Sequence, residues 1–437
     1  MSKRLPLIRL AVQVGMLGLF LLPAAGVPYV LGTLASSRLY GVALTDPVAA
    51  LEATLASGRV WAPLAVSALL VAAGYLVLGR AFCAWVCPVG ALLRFLPRRR
   101  PLRWLERARP EWVLFAVLSG SLAFGIPLVG LLSPVNLVVR ALLFGAGLEL
   151  LLVAAVVGLG SANWCRHLCP LGAFYGLLGR VALLRVKLDP SACNRCGACL
   201  AKCPMGAGVL APAVGGRGPA EAQPDLCTRC GDCLGVCPHG ALSFGLGRGR
   251  VAVDGGSRRA ALAYLGAGAL ALGARFFTAG PVERLTERTK LRPPGAAPEA
   301  AFLAQCLRCG QCEQVCPLGA IKLGHAGDGL SLGTPFLVPR EKACNLCMEC
   351  VKVCPSGALA PTAAPKMGTA EIDRERCFAW NGTVCRACFN NCPKLGEALT
   401  LEAMQFVHVN AEACTGCGIC EEVCVLDEAA ITVKPAS

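Results

Sequence analysis

The sequence predicts a membrane α-helical domain of four spans, a fifth shorter helix, and two small α+β domains that are rich in cysteine. Three observations lead to this fold class: long apolar runs between Leu10 and Gly160, 28 cysteines among 437 residues, and a charged fraction of only 16%. A chain of this length holds more than one domain. An apolar excess is typical of membrane spans, and so many cysteines indicate metal or disulfide chemistry.

Four apolar runs approach the ~20 residues that a helix needs to cross a bilayer. They cover residues 10–34, 60–78, 112–132 and 136–160. Buried helices of a soluble protein are the alternative, which four such runs in close succession disfavour. Basic residues, among them Arg9, precede the first run and follow the second and fourth, so the positive-inside rule places those segments in the cytoplasm. The loop between the first two runs contains Asp46 and Glu52, which offset its two arginines.

The charge of the chain is uneven. The net charge is +15, yet residues 281–437 contain 15 lysines and arginines against 17 aspartates and glutamates. The basic excess therefore lies before Pro281, between the apolar runs. Basic residues beside spans set topology, so we expect no nucleic-acid partner.

A further crossing is expected near residues 255–280. Arg258 and Arg259 precede a short apolar run that ends at Ala274, and this pattern is typical of a twin-arginine (Tat) export signal. An amphipathic linker helix is the alternative. The expected localisation is the inner membrane, multi-pass, with a periplasmic C-terminal domain. The expected domains are a membrane domain (1–188), a cytoplasmic two-cluster domain (189–254), a signal or anchor helix (255–280), a linker (281–300) and a periplasmic four-cluster domain (301–437).

Six groups of four cysteines account for 24 of the 28. Four groups read C-x2-C-x2-C-x3-C-P, the last has this spacing without the proline, and one is stretched between its first two cysteines. In chain order, the groups are Cys193, Cys196, Cys199 and Cys203; Cys227, Cys230, Cys233 and Cys237; Cys306, Cys309, Cys312 and Cys316; Cys344, Cys347, Cys350 and Cys354; Cys377, Cys385, Cys388 and Cys392 (the stretched group); and Cys414, Cys417, Cys420 and Cys424.

This spacing is that of bacterial-ferredoxin-like [4Fe–4S] domains. Three cysteines on one loop reach three irons of a cubane, and the fourth ligates the neighbouring cluster. Zinc sites usually show two separated C-x2-C pairs, and disulfides need no repeated quartets. The sequence therefore predicts six [4Fe–4S] clusters. The exchange rule groups Cys237 with the first three cysteines of the first group, and Cys203 with the first three of the second.

The four remaining cysteines form two C-x3-C-P pairs, one after the second apolar run and one after the fourth: Cys83, Cys87, Cys165 and Cys169. Their surroundings also match, which indicates an internal repeat of a helix hairpin. We expect the pairs to converge on one site, where four thiolates can bind a single iron or another metal. Two alternatives stay open: redox-active dithiols on one helix face, and structural buried thiols.

These motifs resemble known families. Residues 1–250 resemble the NapH family of membrane ferredoxins, related to MauN and to the membrane half of NosR, in their spans, C-P pairs and two-cluster domain. Residues 255–437 resemble NapG and MauM, exported ferredoxins, most specifically in the stretched group from Cys377 to Cys388. The chain thus looks like a fusion of the two.

The resemblance implies a quinol dehydrogenase or electron-transfer subunit. It would pass electrons from the membrane quinone pool to a periplasmic cytochrome c or a reductase of the nitrate reductase type. The sequence has no evident molybdenum-cofactor domain and no C-x-x-C-H haem site, so the acceptor is a separate protein. The alternatives are a maturation factor that reduces a metal or cofactor of a partner enzyme, and a passive electron carrier.

Two expectations follow from the resemblance. Glu149, within the fourth apolar run, is a candidate to accept a proton from quinol, and Arg140 is a candidate to orient its headgroup; a buried ion pair is the alternative. For residues 301–437, similar four-cluster subunits imply a nested exchange, first group with fourth and second with third. The sequential alternative pairs first with second and third with fourth.

Overall fold

The structure, a computed structural model, describes most of the chain. The described residues are 5–22, 30–95, 110–132, 163–216, 218–247, 266–275 and 290–436, together with residues 138, 154, 158 and 264.

Helices dominate residues 5–181, which we call the helical region. Their bounds are Leu5–Leu21, Pro47–Ser57, Ala62–Leu78, Phe82–Trp85, Pro88–Phe95, Pro110–Phe124, Val129–Leu132 and Pro170–Val181, with a π-helical turn at Trp164–Leu168. A small antiparallel sheet follows the first helix, and its three strands are Val30–Thr33, Ser36–Leu39 and Val42–Thr45.

Local sequence explains where two of these helices begin. The Asp46 carboxylate caps the helix Pro47–Ser57 and accepts hydrogen bonds from the Val48 N–H at 2.7 Å and the Ala49 N–H at 3.2 Å. The helix Pro170–Val181 begins directly after Cys169, whose sulfur accepts from the Gly172 N–H at 3.3 Å. In both helices proline takes the first helical position, where its fixed φ is favourable and its missing N–H costs nothing.

The predicted membrane class is wrong for the part of the chain that the structure describes. None of the helices there combines the length and the apolar character that a bilayer crossing requires. The helices in the first two apolar runs, Leu5–Leu21 and Ala62–Leu78, have 17 residues each, and Pro110–Phe124 has 15. The predicted multi-pass, inner-membrane localisation with a periplasmic C-terminal domain is contradicted by the same finding.

Charged residues that the pattern assigned to loops have internal contacts instead. Arg9, expected to flank the first span, is buried and pairs with Asp232 at 3.1 Å. Asp46 and Glu52, expected in the loop between the first two spans, are buried in the helical region. Two other predicted features fall outside the described residues: the Arg258–Arg259 pair and nearly all of residues 136–160.

The cysteine-rich part folds as three α+β modules. The first module (184–246) pairs Leu184–Leu188 antiparallel with Leu242–Leu246, and its α-helices are Ala198–Lys202, Ala211–Val214 and Asp232–Val236. The second module (290–360) pairs Ile321–Leu323 with Pro335–Leu337, and its α-helices are Glu299–Gln305, Gln311–Gln314 and Glu349–Val353. The third module (367–436) pairs Gly368–Ile372 with Ile431–Pro435 and Leu399–Glu402 with Phe406–Val409, and its α-helices are Ala387–Asn390 and Ile419–Glu422.

The helical region contacts two of these modules. Towards the first module, the Arg9 guanidinium donates to the Cys230 carbonyl at 3.1 Å, and the Trp85 indole N–H donates to the Arg229 carbonyl at 3.2 Å. Towards the second, the Gln311 amide donates to the Ser36 carbonyl at 3.1 Å. The helical region therefore contacts both the first and the second module.

Candidate metal centres

Five of the six cysteine loops share one backbone shape. The residue before the middle cysteine of each C-x2-C-x2-C run has a positive φ, and so does the residue after it. The residues before it are Arg195, Arg229, Arg308, Leu346 and Gly416, and those after it are Gly197, Gly231, Gly310, Met348 and Gly418. Glycine adopts this conformation at low cost, which explains most of the second set. The stretched loop differs, because Arg386 has a φ of −129°.

The loops surround five cavities of similar size, with empty volumes of 320 to 390 Å³. Each cavity is lined by the first three cysteines of one group and the last cysteine of another. The five sets are Cys193, Cys196, Cys199 and Cys237; Cys203, Cys227, Cys230 and Cys233; Cys306, Cys309, Cys312 and Cys354; Cys377, Cys385, Cys388 and Cys424; and Cys392, Cys414, Cys417 and Cys420.

A sixth set follows from the electrostatics around Cys350. Burial and, to a lesser extent, the neighbouring thiols raise the pKa of the Cys350 thiol to about 12. These neighbours are Cys344, Cys347 and Cys316. The last cysteine of the third group thus joins the first three of the fourth, which completes six sets of three plus one.

The cavity linings show which cysteine groups exchange their fourth ligands. In the first module the sets are those that the exchange rule predicts. In residues 301–437 the nested order is wrong, because Cys354 lines the cavity of Cys306 and Cys424 lines that of Cys377. The pairing is sequential, because each adjacent pair of groups folds around its own cavities, although the second and third modules share part of one core. Sequence spacing does not reveal this, since all the groups present equivalent fourth cysteines.

The cavities suit a [4Fe–4S] cluster. Each offers four cysteine sulfurs and a mostly apolar wall, and backbone amides point at some sulfurs: Leu346 N–H donates to the Cys344 sulfur at 3.3 Å and Leu359 N–H to the Cys354 sulfur at 3.4 Å. Such N–H···S bonds stabilise thiolate ligands and tune cluster potentials. Four cysteine sulfurs in an apolar cavity, with backbone amides donating to some of them, therefore fit the [4Fe–4S] cluster that the cysteine spacing predicts.

A single metal ion is a different case. Among the residues that the structure describes, no three or more His, Cys, Asp or Glu side chains are placed to hold one ion. This finding does not argue against a cubane, whose irons lie at separate corners and keep their cysteines farther apart than ligands around one ion. It does bear on the single iron predicted at the two C-x3-C-P pairs.

Those two pairs do converge, as predicted. Cys83, Cys87, Cys165 and Cys169 pack together in the main core of the helical region, and we call them the sulfur layer. Burial and the neighbouring Cys83 raise the pKa of the Cys169 thiol to about 11, against the opposing effect of the Arg80 cation. Burial likewise raises the pKa of Cys87 and Cys165. Without a bound cation, the environment therefore favours neutral thiols.

Sequence reasoning missed a buried polar cluster beside the sulfur layer. Tyr175 stacks on Phe82 at 5.2 Å between ring centroids, and its hydroxyl donates to Asp46 at 3.2 Å. Burial raises the pKa of Asp46 to about 6 and that of Glu52 to about 7. The cluster thus places Asp46 beside the sulfur layer through Tyr175, and Glu52, which accepts from Ser121 and Val129, near Asp46. The one sequence signal for it is the Asp46–Pro47 helix start.

The two predicted quinol residues, Glu149 and Arg140, lie outside the described residues.

Three family comparisons bear on these sites. Residues 192–241 and 343–395 match a family described as "4Fe-4S dicluster domain", and residues 219–317 match another with the same description. Residues 60–110 and 140–190 match a "4Fe-4S binding domain". The last two ranges contain the sulfur layer and no other cysteine. Some dicluster matches join groups from different modules, because all groups have nearly the same spacing.

Relatives match over most of their own length. MauN from Paracoccus denitrificans, a methylamine utilization ferredoxin-type protein, is 38% identical over 226 residues, which cover 48% of this chain and 80% of MauN. MauM from the same organism is 40% identical and covers 43% of this chain and 87% of MauM. The ferredoxin-type protein NapG from Escherichia coli is 42% identical and covers 34% of this chain and 71% of NapG. No solved structure matches the chain.

The modules, their cysteine sets and these matches define an iron–sulfur electron-transfer protein of the ferredoxin type. The chain belongs to the family of ferredoxin-type proteins that includes NapG, MauM and MauN.

Proposed function

We propose that the chain is a fused electron-transfer subunit that binds six [4Fe–4S] clusters and passes electrons from a quinol to a separate redox enzyme. The observation that carries this proposal is the set of six cysteine quartets, each assembled from two groups. The 24 cysteines of these quartets would be the ligands. When bound, such clusters supply one-electron transfer.

The chain's own residues provide three functions for such centres. The apolar walls of the cavities exclude water, and backbone amides such as that of Leu359 donate to cysteine sulfurs. The helical region holds two modules on a common frame through Arg9 and Gln311. The third module packs against the second and carries the cavities at Cys377 and Cys392, which are last in chain order.

Quinol is proposed as the donor from the resemblance and from the titratable groups in the helical region. Oxidation of a quinol releases two electrons and two protons. Asp46 and Glu52 have pKa values of about 6 and 7, so both can accept a proton near neutral pH. Tyr175 donates a hydrogen bond to Asp46 and so connects Asp46 to the sulfur layer. The acceptor is proposed to be a cytochrome c or a reductase of the nitrate reductase type.

The test uses the full chain purified without oxygen. Iron and acid-labile sulfide should each be about 24 per chain, as six cubanes require. A water-soluble quinol should then bleach the visible iron–sulfur absorption, and Asp46→Asn should slow the bleaching. Glu428→Gln is the matched control, because Glu428 is exposed and lies in the third module. Full bleaching by dithionite with none by quinol would reject quinol as the donor and leave the cluster assignment standing.

A further inference from the structure

The residue before the middle cysteine is arginine in three of the five loops that share one backbone shape: Arg195, Arg229 and Arg308. All three have positive φ, between 53° and 61°. This region favours glycine, and Gly416 occupies the same position in the last loop. Three loops therefore hold a large cation in a strained backbone position where glycine would suffice.

Two of these arginines are buried and one is not. Arg229 and Arg308 are each 2% exposed, whereas Arg195 is exposed. The Arg229 guanidinium donates to the carbonyl oxygens of Cys227 at 2.8 Å and Leu184 at 3.0 Å. It also donates to the Gly179 carbonyl of the helical region at 3.2 Å. Its charge is therefore fixed within its own cysteine loop.

Arg308 occupies the equivalent place in the second module. It lines the cavity of Cys306 and donates to the Leu332 carbonyl at 2.9 Å and the Leu330 carbonyl at 3.2 Å. Its charge also favours the ionised form of Glu52 in the helical region.

Both buried arginines lie where a module meets the helical region. A Cβ on Gly79, at the end of the helix Ala62–Leu78, would collide with the Arg229 guanidinium. A Cβ on Gly130 would lie 3.8 Å from a terminal nitrogen of Arg308. Arg195 lines the cavity of Cys193, and its side chain is exposed to solvent. The buried cations thus lie beside one cysteine loop in each of these two modules, next to the helical region.

A fixed charge acts strongly on a redox centre when water does not screen it. A positive charge stabilises the electron-rich reduced state, and its effect is larger in a low-dielectric interior than at a wet surface. Charge and hydrogen bonding near the sulfurs are the main means by which a protein sets cluster potentials. Arg229 and Arg308 satisfy these conditions, and exposed Arg195 does not.

We propose that the buried positive charges of Arg229 and Arg308 each raise the reduction potential of one cluster. Arg229 acts on the cluster bound by Cys203, Cys227, Cys230 and Cys233, and Arg308 acts on the cluster bound by Cys306, Cys309, Cys312 and Cys354. These two cavities would then be the preferred places for an electron on either side of the helical region. This inference rests on the cluster assignment under Proposed function. It goes beyond that assignment because it says which clusters have raised reduction potentials and which residues raise them.

The experiment is a redox titration of the full chain followed by electron paramagnetic resonance, with iron and sulfide counted in each sample. Arg229→Gln and Arg308→Gln should each lower the midpoint potential of one cluster by at least about 59 mV, a tenfold change in a one-electron equilibrium. Arg229→Lys and Arg308→Lys, which keep the charge, should restore most of the shift. Arg195→Gln is the matched control, at the same loop position but exposed, and should shift its cluster far less.

A second measurement does not depend on the folding of the arginine variants. Glu52 faces Arg308, Asp46 and Ser121, and its negative charge at pH 8 opposes that of Arg308. Glu52→Gln should therefore raise the midpoint of one cluster at pH 8. Unchanged midpoints in fully loaded glutamine variants, or an equal shift in Arg195→Gln, would overturn the inference. Absence of iron and sulfide from the unaltered chain would instead reject the proposed function itself.

Discussion

The modules and the helical region both gather cysteines in fours, but by different means. In the modules, short loops with left-handed residues place three cysteines around a cavity, and a neighbouring group adds the fourth. In the helical region, two helix-starting C-P turns bring four cysteines into an apolar core. Loop geometry is encoded locally, whereas convergence in a core depends on the packing of distant helices. The difference explains why one kind of site can be assigned from spacing and the other cannot.

The largest expected effect tests the sequential pairing within residues 301–437. Cys306→Ser with Cys354→Ser removes two ligands of one cavity, so about 4 of about 24 irons should be lost. The control combines Cys306→Ser with Cys316→Ser, which affects two cavities and should remove about 8 irons. Analysis of iron and sulfide in anaerobically purified protein gives the answer. A loss of about 8 irons from the first variant would favour the nested order instead.

The pairing of the cysteine groups also shows which cysteine sets in the modules could be predicted from the sequence. In the first module, the cysteine spacing from Cys193 to Cys203 predicts which cysteines form each set. Each of its two groups has only one other group with which to exchange its fourth cysteine. With four groups, several exchanges satisfy the same spacing. The strand pair Gly368–Ile372 with Ile431–Pro435, which encloses the last two groups, selects one of them. Pairing between strands so far apart in the chain leaves no local sequence signal.

A second prediction concerns how the helical region holds the first module. Arg9 and Asp232 are 3% and 6% exposed, and their side chains pair at 3.1 Å. Arg9→Met should lower the free energy of unfolding by about 3–5 kcal/mol, because it leaves a buried carboxylate without its cation. Arg376→Met is the control, since its pair with Glu428 is exposed and should contribute about 1 kcal/mol or less. Chemical denaturation compares the two, and an equal loss in both would contradict the buried contact.

The same ion pair shows where sequence reasoning failed. The hydropathy pattern indicates that Arg9 is a basic flank of a membrane span, because such a pattern counts charges but contains no information about their partners. The partner, Asp232, belongs to the first cysteine-rich module, far along the chain. Asp46 and Glu52 were likewise assigned to a loop, although Ser121 and Tyr175 hold them in a core. Apolar runs therefore predicted the helices but not their lengths or surroundings.

A third prediction uses the raised pKa of Glu52. Its folded value is about 7 against an ordinary 4.5, so the folded state binds a proton that the unfolded state has lost between these values. Stability from this group is therefore full below pH 4.5 and falls as the pH rises to about 7, on the order of 3 kcal/mol in total. Asp46, raised to about 6, contributes in the same direction. Glu52→Gln should flatten the decline in thermal unfolding temperature between pH 5 and 8. Glu428→Gln should leave it unchanged, and a variant curve parallel to the parent would contradict the assignment.

The smallest expected effect concerns the sulfur layer, and it separates the two kinds of cysteine site most directly. With all four of its cysteines changed to alanine, we expect no loss of a single iron at constant sulfide, because among the described residues no three ligands are placed around one ion. Alanine is preferred to serine, since a hydroxyl in this core would cost more than a lost sulfur. The matched control changes Cys306, Cys309, Cys312 and Cys354 to alanine and should lose about four irons and four sulfides.

Loss of about one iron with constant sulfide would instead show the single metal site that the C-P spacing predicted. Loss of about four of each from the layer variant would show a seventh cubane, in keeping with the family description of residues 60–110 and 140–190. Burial raises the pKa of Cys87 and Cys165 and so favours their neutral form. Constant iron would therefore indicate that the four thiols are either structural or redox-active dithiols, in the core that also contains Phe82 and Tyr175.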